Sequence, residues 1–162
     1  MDAIAAEAGV GKGTLFRRFG DRASLALALL ESSERDLQEA FIRGAPPLGP
    51  GAPPLERLIA FGRALLEHVC ANGDLLLAAQ TAGAPGRRFG VGAYRAYRAH
   101  VAILLSAADA ALDVEYTADT LLCSLSAEVV LYHVRVSEMK LERLAAGWEA
   151  IVRRLMSDAY CS

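Results

Sequence analysis

Apolar residues recur at intervals of three and four along nearly the whole chain, and clusters of glycine and proline interrupt the pattern at a few places. That rhythm suits helices packed by one face, and no run alternates apolar and polar residues as a half-buried strand would. Ile4, Ala5 and Ala8 share a face before Gly9-Val10-Gly11, and Leu15, Phe16 and Phe19 share another after it, so the spacing predicts two short helices around a tight turn. Asp21 stands as an N-cap for a helix from about Arg22 to Arg43, along which Leu25, Ala28, Leu29, Ser32 and Arg35 and the later apolar Leu37, Phe41 and Ile42 follow as a stripe at helical intervals. Residues 44–54 hold too much proline and glycine to continue it. Leu58, Ile59, Gly62, Leu65, Leu66 and Val69 then mark a helix that the Asn72-Gly73 pair should stop, with Asp74 capping a short helix through Ala79. Further helices are expected at about Val91 to Leu112, Ala118 to Arg135 and Leu141 to Met156, which makes the fold class all-α.

With 162 residues, 54% hydrophobic and 22% charged, the chain has room for one sizeable helical core or a small head on a larger body. The formal net charge of −2 gives no overall positive field, so attraction for a polyanion has to come from a local patch. Cys70, Cys123 and Cys161 are widely spaced and odd in number, which fits a reducing cytoplasm better than a disulfide framework or a metal site. No apolar run approaches the roughly 20 residues of a spanning helix, and no signal peptide opens the sequence, so a soluble, cytoplasmic protein without membrane contact is expected.

The patch that net charge conceals lies between Lys12 and Arg22, where Lys12, Arg17, Arg18 and Arg22 put four cations within eleven residues against Asp21 alone. It sits on a specific pattern: Ile4-Ala5, then Ala8-Gly9-Val10, then Gly13-Thr14-Leu15 and Phe16, then Phe19 and a basic Arg22 before Leu25. Ala5 and Ala8 are small enough for two helices to approach closely, Gly9 admits a left-handed turn, and Val10 fills the angle between them. The segment resembles the helix-turn-helix of the tetracycline-repressor (TetR) family.

The resemblance implies double-stranded DNA as partner, with the second helix in the major groove of a palindromic operator. Lys12 and Arg17 are then candidates for base edges, Thr14 for a phosphate oxygen or a thymine methyl, and Arg18 and Arg22 for the outer face. Phe16 falls where the family commonly has a tyrosine that reaches a phosphate, so that contact should be lost while the ring still packs. The family has a further helix ahead of this segment, and its absence from the sequence leads to an expectation of an incomplete head with weak operator binding. Residues 1–43 are expected to form the head with its connecting helix, and 44–162 a ligand-binding and dimerisation body.

In the body the resemblance is architectural only. It implies a homodimer built on the last two helices, with Leu121, Leu122, Leu125, Val129 and Tyr132 facing Leu144, Trp148, Ile151 and Leu155 across a four-helix interface. It also implies a small-molecule effector that draws the protein off DNA, held by Phe61, Leu65, His68, Tyr94, Tyr97 and His100. That mixture of aromatics and imidazoles suits a mostly apolar compound with one or two polar groups.

Two other classes compete. Gly9-Val-Gly-Lys-Gly-Thr14 resembles the tail of a phosphate-binding loop, but such a loop needs a glycine where Ala6 stands and a buried strand leading into it. No nucleophile with an assignable base is evident, so no enzyme, cofactor or metal is expected. The second alternative is a dimeric ligand-binding or interaction protein with no DNA binding of its own, which shares every feature from Leu55 onward.

Overall fold

A computed structural model describes residues 2–7, 9, 11–80, 92–108 and 113–157. They form an all-α fold, with no strand among them: α1 (Asp2–Glu7), α2 (Lys12–Phe19), α3 (Arg22–Arg43), α4 (Pro54–Gln80), α5 (Gly92–Ala107), α6 (Val114–Ser124), α7 (Ala127–Arg135) and α8 (Leu141–Ser157). Helical structure over Asp2–Glu7 removes the strand that a phosphate-binding loop would require.

The long α4 is the hub, against which α3, α5, α7 and α8 all pack. Its buried Leu58, Phe61, Leu65, Leu66 and Val69 meet Leu37 and Phe41 of α3, Val101, Leu104 and Leu105 of α5, Val130 and Leu131 of α7, and Trp148 and Val152 of α8 in one core. Gly62, on the same face of α4, lies against the Trp148 indole, whose Nε1–H donates to the Leu58 carbonyl at 3.1 Å. A methyl group at Gly62 would overlap that ring. Replacement by alanine therefore displaces a rigid side chain, and this outweighs the gain in helix propensity. Gly62→Ala is expected to lower unfolding free energy by about 1–3 kcal/mol, read from the urea midpoint at unchanged m-value.

The boundaries of α3 are as expected from its caps: the Asp21 carboxylate accepts from the Ser24 N–H at 2.7 Å, and Arg57 donates to the Phe41 carbonyl at 3.1 Å near the other end. Its inner face is turned from the expected stripe. Ala23, Leu25, Ala26, Leu30, Leu37 and Phe41 are buried, whereas Ala28, Leu29 and Ile42 face solvent.

Two helix boundaries are corrected. Asn72-Gly73 does not end α4, because Gly73 is buried beneath the Leu131 side chain and the Asn72 amide bonds back to the His68 carbonyl at 3.1 Å. Asp74 caps no new helix; it forms a paired contact with the Arg135 guanidinium at 2.7 and 3.0 Å that fastens the end of α7 to α4. Conversely, the single helix expected to run to Arg135 starts earlier, at Val114 behind its Asp113 cap, and breaks at Leu125 and Ser126. The expected helix to Leu112 is described as far as Ala107, and residues 109–112 lie outside the described part. Among the described residues no helix is long and apolar enough to cross a membrane, and no cluster of His, Cys, Asp or Glu could hold a metal ion.

Candidate nucleic-acid interface and ligand cavity

Gly9 takes φ of +63° and donates to the Ala6 carbonyl at 3.2 Å, closing α1, and Thr14 N–H bonds to the Gly11 carbonyl at 2.8 Å, opening α2. Gly20, at φ of 76°, donates to the Phe16 carbonyl and ends α2, after which Asp21 caps α3. Both glycines occupy backbone conformations that a β-carbon disfavours, so the angle between the helices is written into those two positions.

The described side chains of α2 are mostly exposed. Thr14, Phe16, Arg17 and Arg18 are exposed along it, Arg22 is exposed at the start of α3, and Phe19 is half-buried. The Arg18 guanidinium lies 5.6 Å from the centre of the Phe19 ring, which holds one cation against the helix while Arg17 projects from the next position. Lys12 is the first residue of α2; its side chain lies outside the described part. The expected DNA-contacting groups with described side chains are thus gathered on α2 and the first turn of α3.

The body holds a partly open cavity of about 130 Å³, lined by α3, α4, α5, α6 and the start of α7. Of the six residues expected to line it, Leu65, His68, Tyr94 and Tyr97 do. Phe61 and His100 do not: they stack with Phe41, His100 lying 4.4 Å from the Phe41 ring centre and 5.1 Å from that of Phe61. Burial, with the Arg57 charge adding to it, pushes His100 down to about 4, so this imidazole is a neutral part of the core.

Residues not foreseen complete the wall, chiefly Leu27, Leu30 and Glu34 from α3 and Leu125, Ser126 and Ala127 at the break between α6 and α7. The spacing of Leu27, Leu30 and Glu34 at i, i+3 and i+7 was the available signal for the first three. Tyr94 donates to Asp119 at 2.9 Å, and Arg98 donates to the same carboxylate oxygen at 2.8 Å. These bonds fasten α5 to α6, and the Arg98 hydrogen bond holds Asp119 below the usual carboxylate range. Within the cavity, burial raises the Glu34 carboxyl and lowers His68.

The residues expected at a subunit interface divide into two groups. Leu121, Leu122, Leu125 and Trp148 are buried in the chain's own core, because α6 packs on α5 and α8 packs on α4, so a partner cannot reach them. Leu144 and Leu155 are half-buried against that core. Val129, Tyr132 and Ile151 are exposed, with Val136 continuing the α7 stripe. Exposed Ala146, Gly147 and Ala150 flank Ile151 on α8.

No curated protein and no solved structure matches the chain. Residues 1–29, which span the two short helices, their glycine turns and the first part of α3, match the family described as bacterial regulatory proteins, tetR family. The similarity to that family lies in this N-terminal segment.

Proposed function

We propose that the chain is a homodimeric transcriptional repressor that binds a palindromic operator through α2 and is released by a small molecule bound in the cavity between α3, α4, α5 and α6. The observation that carries this reading is the place of α3. Its first turn follows directly on the helix-turn-helix, and its Leu27, Leu30 and Glu34 form part of the cavity wall. A compound that fits one tilt of α3 better than another shifts the population of head positions without touching DNA. On this reading residues 1–43 act as head and connecting helix, and 44–162 as the body.

The direct test is fluorescence anisotropy with DNA from the flank of the chain's own gene, over a range of salt. Arg17→Ala is expected to reduce affinity by about 1–3 kcal/mol and to relax sequence preference, whereas Arg22→Ala weakens all sequences alike and lowers the salt slope by about 1. Binding that neither substitution alters would remove α2 from the interface.

One observation favours the second reading, a ligand-binding or interaction protein without DNA binding of its own. Among the described side chains of α1 and α2, Ala5 alone is buried, while Phe16, Arg17 and Arg18 are exposed. The absence of binding to any gene-flanking fragment at low salt would favour it.

A further inference from the structure

Three polar groups in the cavity wall face surroundings that are otherwise mostly apolar. Among the described residues that line it, Glu34 is the one carboxylate and there is no lysine or arginine. Tyr97 is buried, yet its hydroxyl has no hydrogen-bond partner among the described residues, and the same holds for His68 Nε2. Glu34 and Tyr97 are near enough for the carboxylate charge to act on the phenol. Around them stand Leu27, Leu30, Leu65, Val69 and Leu76.

Polar groups placed in this way lose hydration, and a carboxylate loses the most. An occupant can supply the hydrogen bonds that the Tyr97 hydroxyl and His68 Nε2 lack among the described residues. An anion would meet a like charge and, among the described residues, no compensating cation. A neutral donor would satisfy one oxygen but leave the charge unbalanced. A protonated amine supplies both charge and several N–H donors, so it can bond Glu34 and the Tyr97 oxygen together. Burial lowers His68, which disfavours a competing cation at that position. Size sets a second limit: a void of about 150 Å³ holds one benzene ring, and this cavity is about 130 Å³.

We infer that the cavity takes a lipophilic amine, a single aromatic or similarly compact apolar body whose ammonium group is held by Glu34 and Tyr97. This rests on the reading of the cavity as a ligand site and gives that ligand a chemical class.

The test uses the full chain and three probes of one size, phenethylamine, phenethyl alcohol and hydrocinnamate, measured by isothermal titration calorimetry. The amine is expected to bind about tenfold or more tighter than the alcohol, with the carboxylate weakest. Glu34→Gln, with folding checked by circular dichroism, should weaken the amine by about tenfold or more and leave the alcohol within about threefold. Tyr97→Phe gives an independent reading and should weaken the amine more than the alcohol, which decides the matter if the Glu34 variant does not fold.

Equal affinity for amine and alcohol, no loss of amine binding in a folded variant, or no binding by any probe overturns the inference. DNA release is measured separately with the same probes. An amine that binds through Glu34 and leaves DNA affinity unchanged sustains the inference while sinking the effector role. Release by the alcohol but not by the amine does the reverse.

Discussion

Trp148→Ala is expected to unfold the protomer rather than to separate folded subunits. The indole is 3% exposed, lies against Gly62, and donates to the Leu58 carbonyl, so its removal opens a void between α4 and α8 and deletes a bond that ties them together. Large-to-small changes of this kind cost about 3–5 kcal/mol, a large share of the roughly 5–15 kcal/mol that holds a typical domain folded. In urea, followed by circular dichroism, the midpoint should fall sharply. Trp148→Phe should recover part of the loss, because the ring is kept and only the N–H is removed. The spacing of apolar residues in α8 equally suits an interface role for Trp148, and that role predicts another result: a folded monomer with an unchanged midpoint. Observing it would place Trp148 between subunits.

The second large effect concerns the surface that α7 and α8 leave exposed. Tyr132 is 55% exposed and Ile151 53%, on helices that both pack on α4. A second copy of the chain placed over them would cover apolar side chains, and the small Ala146, Gly147 and Ala150 would let its helices approach closely. The double change Tyr132→Glu with Ile151→Glu should then produce a monomer in analytical ultracentrifugation. Its chemical stability at high dilution should match that of the parent chain, since neither residue supports the protomer core. Operator affinity should fall by about a hundredfold or more, because each head then binds its half-site without the effective concentration that a joined partner supplies. A dimer that survives both charges would move the interface elsewhere.

The sequence was most legible where a single local signal decides the backbone. Asp21 and the proline-rich stretch after Arg43 bound α3 as expected, and Gly9 carries the left-handed turn expected between α1 and α2. It misled where a tertiary contact overrides a local signal. Asn72-Gly73 is an ordinary helix stop, but Leu131 packs over the glycine and the helix continues. Leu125 and Ser126 carry no glycine or proline to announce the break between α6 and α7. Leu121 and Trp148 belong to apolar faces that periodicity alone assigns equally well to a core or to a partner, and only the packing of α6 on α5 and α8 on α4 separates the two. Of the pocket residues expected on α4 and α5, Leu65, His68, Tyr94 and Tyr97 line the cavity, whereas its α3 wall was not anticipated. Glu34 is a polar residue in an apolar place, and such a residue looks like a solvated one until its neighbours are known.

The shared use of α3 has a geometric corollary. From Glu34 back to Arg22 is twelve residues, or about 18 Å of helix at about 1.5 Å per residue. If the rod pivots near the cavity, a tilt of about 5° carries its head end about 1.5 Å sideways, and two-fold symmetry changes the separation of two heads by up to about 3 Å. Half-sites one DNA turn apart lie about 34 Å from each other, and side chains that read base edges tolerate little more than a fraction of a hydrogen-bond length. On the proposed function, an occupant no larger than one ring would then have enough mechanical gain to put both readers out of step with the groove, so detection could be built from a small void and a stiff rod, without any refolding of the body.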